Sequence, residues 1–380
     1  MTDEQLDALR SRLAGLGRAH TPADVASAMR GMGLVVSDEG VRDALARLRR
    51  HSIGAGPLEE LLRLPGVSDV LVNGPHEVFV DQGKGLVRTS VRFIDDEQVR
   101  RLAVRLAAAT GRRLDDAQPF VDGRLADGTR LHAVLSPVAQ PGTCLSLRVP
   151  AHRCFSLSDL TAVGAVSEQG ADLLRRLVSR RVPFLISGGT GSGKTTLLAA
   201  MLALVPAAER ILLVEDAREL TPDHPHCVRL EARPANAEGT GQIELSMLVR
   251  QALRMRPDRV VLGEVRGAEL IDLLTALNTG HEGGCGTVHA NSVADVPARL
   301  EALAALGGLG REACHAQVAA ALKVVVHVDR DETGRRFVDE IGVFRRAAGG
   351  DLRIAPGATL TPHGVRYLEA GDELRRLMGL

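Results

Sequence analysis

The chain has 380 residues, 45% hydrophobic and 25% charged, a balance that suits a globular protein of two or three domains. Its 47 basic and 47 acidic side chains cancel, so an anionic partner must meet a local patch and not a global field. The five cysteines include no CxxC pair, which argues against a disulfide scaffold or a structural zinc site and fits a reducing cytoplasm; aromatics at 2% leave little on which nucleic-acid bases could stack.

The N-terminal run MTDEQLDALR carries acids where a signal peptide would be basic. No run approaches 18 apolar residues, so no membrane span is expected. Residues 1–54 read as a helical segment. Leu6, Leu9, Leu13 and Leu16 recur at helical spacing, and Thr21-Pro22 marks a helix start with proline at its first position. A second helix starts at Ser37 and ends in RLRRH, where Gly54, Gly56 and Pro57 break it.

Residues 55–150 read as a small α+β domain. GPLEELLRL is a short amphipathic helix, and DVLVN and EVFVD are strands joined through the turn Asn73-Gly74-Pro75. A helix is expected at about 95–110, followed by strand-like HAVLSP and TCLSLRV. Residues 148–160 are the best linker. Beyond it, 151–380 alternates wholly apolar strands (PFLIS, ILLVED, CVRLE, RVVLGE, CGTVHA) with helices. Strands apolar throughout imply a mostly parallel sheet covered on both faces, an α/β domain. A hairpin at Thr333-Gly334 and a final helix close the chain.

The segment PFLISGGTGSGKTTLLAAML carries Gly188, Gly189, Thr190, Gly191, Ser192, Gly193, Lys194 and Thr195, which fit G-x-x-x-x-G-K-[ST] between an apolar strand and an apolar helix. Such a loop wraps a phosphate in backbone N–H groups, which side chains at Gly191 and Gly193 would obstruct. The helix beginning near Lys194 adds its unpaired amides and positive dipole end. Lys194 can reach the outer phosphates, and the Thr195 hydroxyl can complete a Mg²⁺ shell. The chain has only three lysines (Lys84, Lys194 and Lys323), so one in this place is hard to ascribe to chance. The motif points to ATP with Mg²⁺.

Ligands of parallel sheets lie at the carboxyl ends of the strands. ILLVED ends in Glu215 and Asp216, and VVLGE in Glu264. One carboxylate there can hold Mg²⁺ through a water, and another can deprotonate the attacking water. Glu264 is the first candidate for the base and Glu215 the second, although strand ends are often polar simply because they meet solvent. His281 and His289 flank a glycine-rich turn. Either could touch a γ-phosphate, or both could be ordinary loop histidines. Their eight-residue spacing is a poor match to a metal site.

Four motifs then stand in order: GGTGSGKTT at 188–196, which adds Thr196, VEDARELTP at 214–222, RMRPDRVVLGEVRGAE at 254–269 and NTGHEGGCGTVHANS at 278–292. In these the chain resembles the type II/IV secretion ATPases, and within them the TadA/CpaF-like branch of pilus-assembly and conjugation ATPases. The segment from about 55 to 345 carries the resemblance. It implies a RecA-like P-loop domain behind a small N-terminal domain, and a homo-oligomer, a hexamer, that hydrolyses ATP. It also implies a cytoplasmic enzyme, peripheral at the inner membrane face, driving a platform protein in pilus assembly or, alternatively, in conjugal transfer. No direct nucleic-acid partner is expected.

By the same resemblance Glu264 is the Walker B glutamate, Glu215 and Asp216 are Asp-box acids, and His289 and His281 are γ-phosphate sensors. DGRLADGTR and LSLRV make Arg124, Arg130 and Arg148 the arginines that face the nucleotide. An arginine stays charged and offers phosphate oxygens a planar fork, although most arginines in so arginine-rich a chain are solvated surface charges. The CxxC insert carried by the larger secretion and pilus members is absent from the sequence.

Overall fold

A computed structural model describes residues 5, 8, 9, 12, 13, 21–34, 36, 37, 40–42, 44, 54–83, 85–150, 154–233, 235 and 240–380. The RLRRH helix end and Lys84 lie outside the described residues. The chain divides into two compact units, Met1–Ala151 and His152–Leu380.

In the first unit, α1 (Pro22–Arg30) starts where the Thr-Pro signal places it. The Thr21 side chain accepts from the Asp24 amide while Asp24 accepts from the Thr21 amide, a reciprocal cap. A 3-10 turn, Gly56–Leu58, then leads into a one-turn helix, Glu59–Leu62. A six-stranded antiparallel sheet follows, built from β1 (Asp69–Asn73), β2 (Val78–Asp81), β3 (Leu86–Arg88), β4 (Phe120–Arg124), β5 (Arg130–Val134) and β6 (Cys144–Arg148). Its order is β3-β2-β1-β6-β5-β4.

Alternation gives this sheet two unlike faces. Val70, Val72, Leu131, Leu145 and Leu147 point to a core shared with Val99, Leu102 and Leu106 of α2 (Asp96–Ala109). The opposite face carries a row set by register. Arg124 pairs with Arg130, and Arg130 with Arg148, so the three arginines stand side by side at one end of the sheet.

The second unit begins with α3 (Leu157–Ala162) and α4 (Glu168–Ser179). Its central strands are β7 (Phe184–Gly188), β8 (Ile211–Glu215), β9 (Cys227–Glu231), β10 (Arg259–Leu262), β11 (Cys285–His289) and β12 (Val324–Arg330). Helices α5 (Lys194–Leu202), α6 (Leu245–Ala252), α7 (Glu269–Asn278), α8 (Val296–Leu306) and α9 (Arg311–Ala321) cover them. Then β13 (Arg336–Arg346), β14 (Leu352–Thr361) and β15 (Gly364–Tyr367) extend the sheet before α10 (Gly371–Met378).

The order is β15-β14-β13-β12-β7-β11-β10-β8-β9. The six strands from β12 to β9 run parallel, and β13 to β15 add an antiparallel flank. Every residue of β7, β8 and β10 is buried. Phe184 and Ile186 face one core cluster and Leu185 the other. Each such aliphatic contributes roughly 1.5–3 kcal/mol by leaving water. Among the described residues no helix is long and apolar enough to cross a membrane.

Candidate functional site

The loop after β7 needs its glycines for two different reasons. Gly191 (φ 73°) and Gly193 (φ 100°) adopt left-handed backbone, which a side chain would strain. At Gly188 the reason is crowding, because a side chain there would run into the Val328 carbonyl oxygen. The Lys194 ammonium donates to the Gly188 carbonyl at 2.9 Å and the Gly189 carbonyl at 2.7 Å. Burial pushes its pKa below the usual lysine range. Thr195 and Thr196 follow it in the first turn of α5, half-buried.

Glu264 stands two residues past the tip of β10, on a backbone fixed at both flanks. The Gly263 amide donates to the Val214 carbonyl of β8, the Val265 amide donates to the Thr287 carbonyl of β11, and the Thr287 hydroxyl donates to the Gly263 carbonyl. Gly263 must be glycine because a Cβ there would sit 2.6 Å from Cγ of Glu215. Glu215, almost fully buried at the end of β8, accepts through Oε1 from the Glu219 and Leu220 amides, which folds the 216–221 turn. Its Oε2 is buried without a partner. Burial raises the carboxyl above its ordinary range.

The charged groups form one string. Lys194 contacts Nδ1 of His289 at 3.4 Å, and Nε2 of His289 meets Glu264 Oε1 at 2.8 Å. Glu264 Oε2 accepts from Arg266 at 2.6 Å, and Arg266 lies 3.9 Å from Asp216. Burial, with help from Lys194, holds His289 below the usual imidazole range. A neutral ring fits both contacts, accepting from the ammonium at Nδ1 and donating from Nε2 to the carboxylate. The string follows the strand order β7, β11, β10, β8, so the carboxyl edge of the sheet assembles it.

Arg266 was not singled out by sequence. It stands two residues after Glu264, and spacing of that kind has no meaning until the loop is folded. The turn that aims it is held by Glu269, whose Oε1 accepts from the Arg266 amide at 2.6 Å and the Gly267 amide at 2.7 Å.

The structure does not bring His281 to this edge. Its ring contacts the Ala276 carbonyl at the end of α7, before β11 begins, whereas His289 ends β11. Cys285 pairs with Phe184 at the far end of β7, and His289 pairs with Gly188. Four residues of strand put the two ends roughly 13 Å apart. Arg124, Arg130 and Arg148 belong to the first unit, where Arg130 pairs with Asp122 at 3.3 Å.

The chain matches the family described as Type II/IV secretion system protein over residues 51–349. It belongs to that family. A putative conjugal transfer protein of Mycobacterium tuberculosis is 58% identical over 321 residues, 83% of this chain and 91% of that protein. The VirB11 type IV secretion system protein of Brucella suis is 30% identical, across 80% of this chain and 92% of its own length. Two solved structures show the same fold: the Legionella pneumophila ATPase DotB, with a TM-score of 0.53 at 18% identity, covering 77% of this chain and 80% of its own, and the pilus retraction motor PilT with bound ADP, with a TM-score of 0.53 at 18% identity, covering 84% of each. This secretion ATPase is an ATP hydrolase with a RecA-like nucleotide-binding unit.

A second imidazole lies behind the loop of this ATPase. His327, on β12, shares a 2.9 Å hydrogen bond between Nδ1 and the Ser187 hydroxyl and is bonded to the Asn291 backbone, which ties β7 to the segment after His289. Burial holds it below the ordinary range, as it does His289. The unfolded chain therefore takes up protons below about pH 6.5 that the folded chain cannot, and stability falls as pH drops through that range. Thermal melts should give a lower Tm at pH 5.5 than at 7.5, and His327→Gln should make the loss shallower. An acid slope identical in the two proteins would show that this ring does not titrate with folding.

Proposed function

We propose that this ATPase works as a homo-hexameric ring in a conjugation-type or type IV secretion machine, engaging an inner-membrane platform protein at the cytoplasmic face. The observation that carries the reading is the 58% identity, over most of both chains, with a protein described as a putative conjugal transfer protein. The VirB11 likeness supports it. The tight-adherence pilus role suggested by the motifs is less favoured, because these relatives are described by conjugal transfer and type IV secretion.

ATP would lie on the amides of 188–196, with Lys194 at its outer phosphates. Glu264 would take the proton of the attacking water, with Glu215 as the alternative base. His289 would contact the γ-phosphate, and by the family resemblance Arg124, Arg130 and Arg148 would be nucleotide-facing cations. Mg²⁺ fits the residues present. Thr195 would hold it directly and Glu264 through a water, and the partnerless Oε2 of Glu215 offers a further acceptor at the same edge. Among the described residues no cluster of three His, Cys, Asp or Glu could hold a metal ion alone, so the phosphates must complete its shell. Bound there, Mg²⁺ would neutralise charge on the phosphates.

Native mass measurement should find an assembly of six 40.4 kDa protomers with Mg²⁺ and ATP. A protein that stays monomeric in both would remove the ring. Capture by a tight-adherence platform protein, with no binding to conjugation components, would remove the conjugation assignment.

A further inference from the structure

One polar pair interrupts an apolar face of the large sheet. Leu185 and Ser187 are two apart on β7, and Val325 and His327 two apart on the neighbouring β12, so all four share a face. Leu185 and Val325 join the core cluster on that side, as does Val288, which pairs with Ser187 from β11. Ser187 is fully buried and His327 nearly so. Such a pair is costly to bury unless its hydrogen bonds are matched, and two aliphatic residues would pack there without that cost. The match is complete. Nδ1 of His327 lies 2.9 Å from the Ser187 hydroxyl, and the ring is hydrogen-bonded to the Asn291 backbone. A neutral imidazole has one donor and one acceptor, and these two partners use both.

Asn291 matters because of where it lies. β11 ends at His289, whose ring stands between Lys194 and Glu264. Residues 290–292 then leave the strand before the 3-10 turn Val293–Asp295. β7 is laddered to β11 and β12, so the phosphate loop keeps its place without the histidine behind it. We propose that His327 is a positioning residue for hydrolysis: through Asn291 it holds the chain just past β11, and so keeps the His289 ring on Glu264. The inference rests on the reading of His289 as the group that meets the γ-phosphate, and adds the residue that steadies it. Positioning of this kind acts on the chemical step, where a misplacement of about 1 Å can cost about 10²-fold in rate. It leaves nucleotide affinity to the loop amides and Lys194.

The test uses the full chain with Mg²⁺, and reads kcat at saturating ATP beside the Kd of ADP. His327→Phe keeps a ring and removes both hydrogen bonds. Its kcat should fall about tenfold, with the ADP Kd within about twofold of wild type. His327→Gln again offers one donor and one acceptor, and should recover most of the rate. In a His289→Ala background His327→Phe should cost little more, since a residue that acts through His289 has nothing left to hold. Ser187→Ala, a smaller change beside the same ring, should slow kcat about threefold, and it reads the same point if His327→Phe folds poorly. Wild-type kcat in His327→Phe and Ser187→Ala, beside a slow His289→Ala protein, would overturn the inference and leave the His289 reading standing. A tenfold loss that persists undiminished in the His289→Ala background would overturn it too, as would a weakened ADP affinity that accounts for the lost rate. Full turnover in His289→Ala would remove the His289 reading, and the inference with it.

Discussion

Glu264→Gln should lower ATP turnover by about 10²–10⁴-fold, the contribution of a positioned general base, while ATP and ADP still bind. The substitution keeps the shape and removes the basicity. A glutamine carbonyl can still accept from Nε2 of His289, which lies 2.8 Å from Oε1, or from Arg266, 2.6 Å from Oε2. The backbone on either side is fixed by hydrogen bonds to β8 and β11 and does not depend on the carboxylate. Hydrolysis at saturating ATP, set beside an ADP titration, separates the outcomes. Turnover close to wild type would move the base to another group, Glu215 first. Loss of ADP affinity would mean that the change had disturbed the loop.

Lys194→Ala should weaken ATP binding about a hundredfold or more, because charged hydrogen bonds to phosphate are lost from a desolvated site. The ammonium is almost fully buried and held by two carbonyls of its own loop, so it is already positioned before any phosphate arrives. A second effect follows from the same atom. Lys194 helps hold His289 below the usual imidazole range, so the histidine pKa should rise in the variant. Isothermal titration checks the first effect, and ring-proton NMR over a pH series checks the second. ATP affinity equal to wild type would sink the site as drawn.

The buried parallel strands were legible because they are apolar throughout and end in the residues that matter. PFLIS, ILLVE and RVVL each form the strand expected of them, and Lys194, Glu264 and His289 meet at one edge. The charge string was not legible, because it depends on strand order and sequence gives only strand succession. Arg266 shows this, since it acquires a role only when β8 and β10 lie side by side. His281 shows the converse. Motif membership grouped it with His289, but a helix–strand connection in a parallel sheet returns the chain to the far edge. The arginine row was half legible: DGRLADGTR places Arg124 and Arg130 on a tight hairpin, and only register adds Arg148 beside them.

The strand that carries the phosphate loop has a parallel neighbour on each side, β11 and β12, and His327 fastens it to the segment beyond β11. It cannot slide without breaking two ladders at once. The turns at 216–221 and 266–268 are held differently, each gathered around one carboxylate, Glu215 or Glu269. Mechanical compliance is thus divided along a single edge. The floor of the site is laddered on both sides, whereas each of the two turns beside it hangs on the oxygens of a single carboxylate.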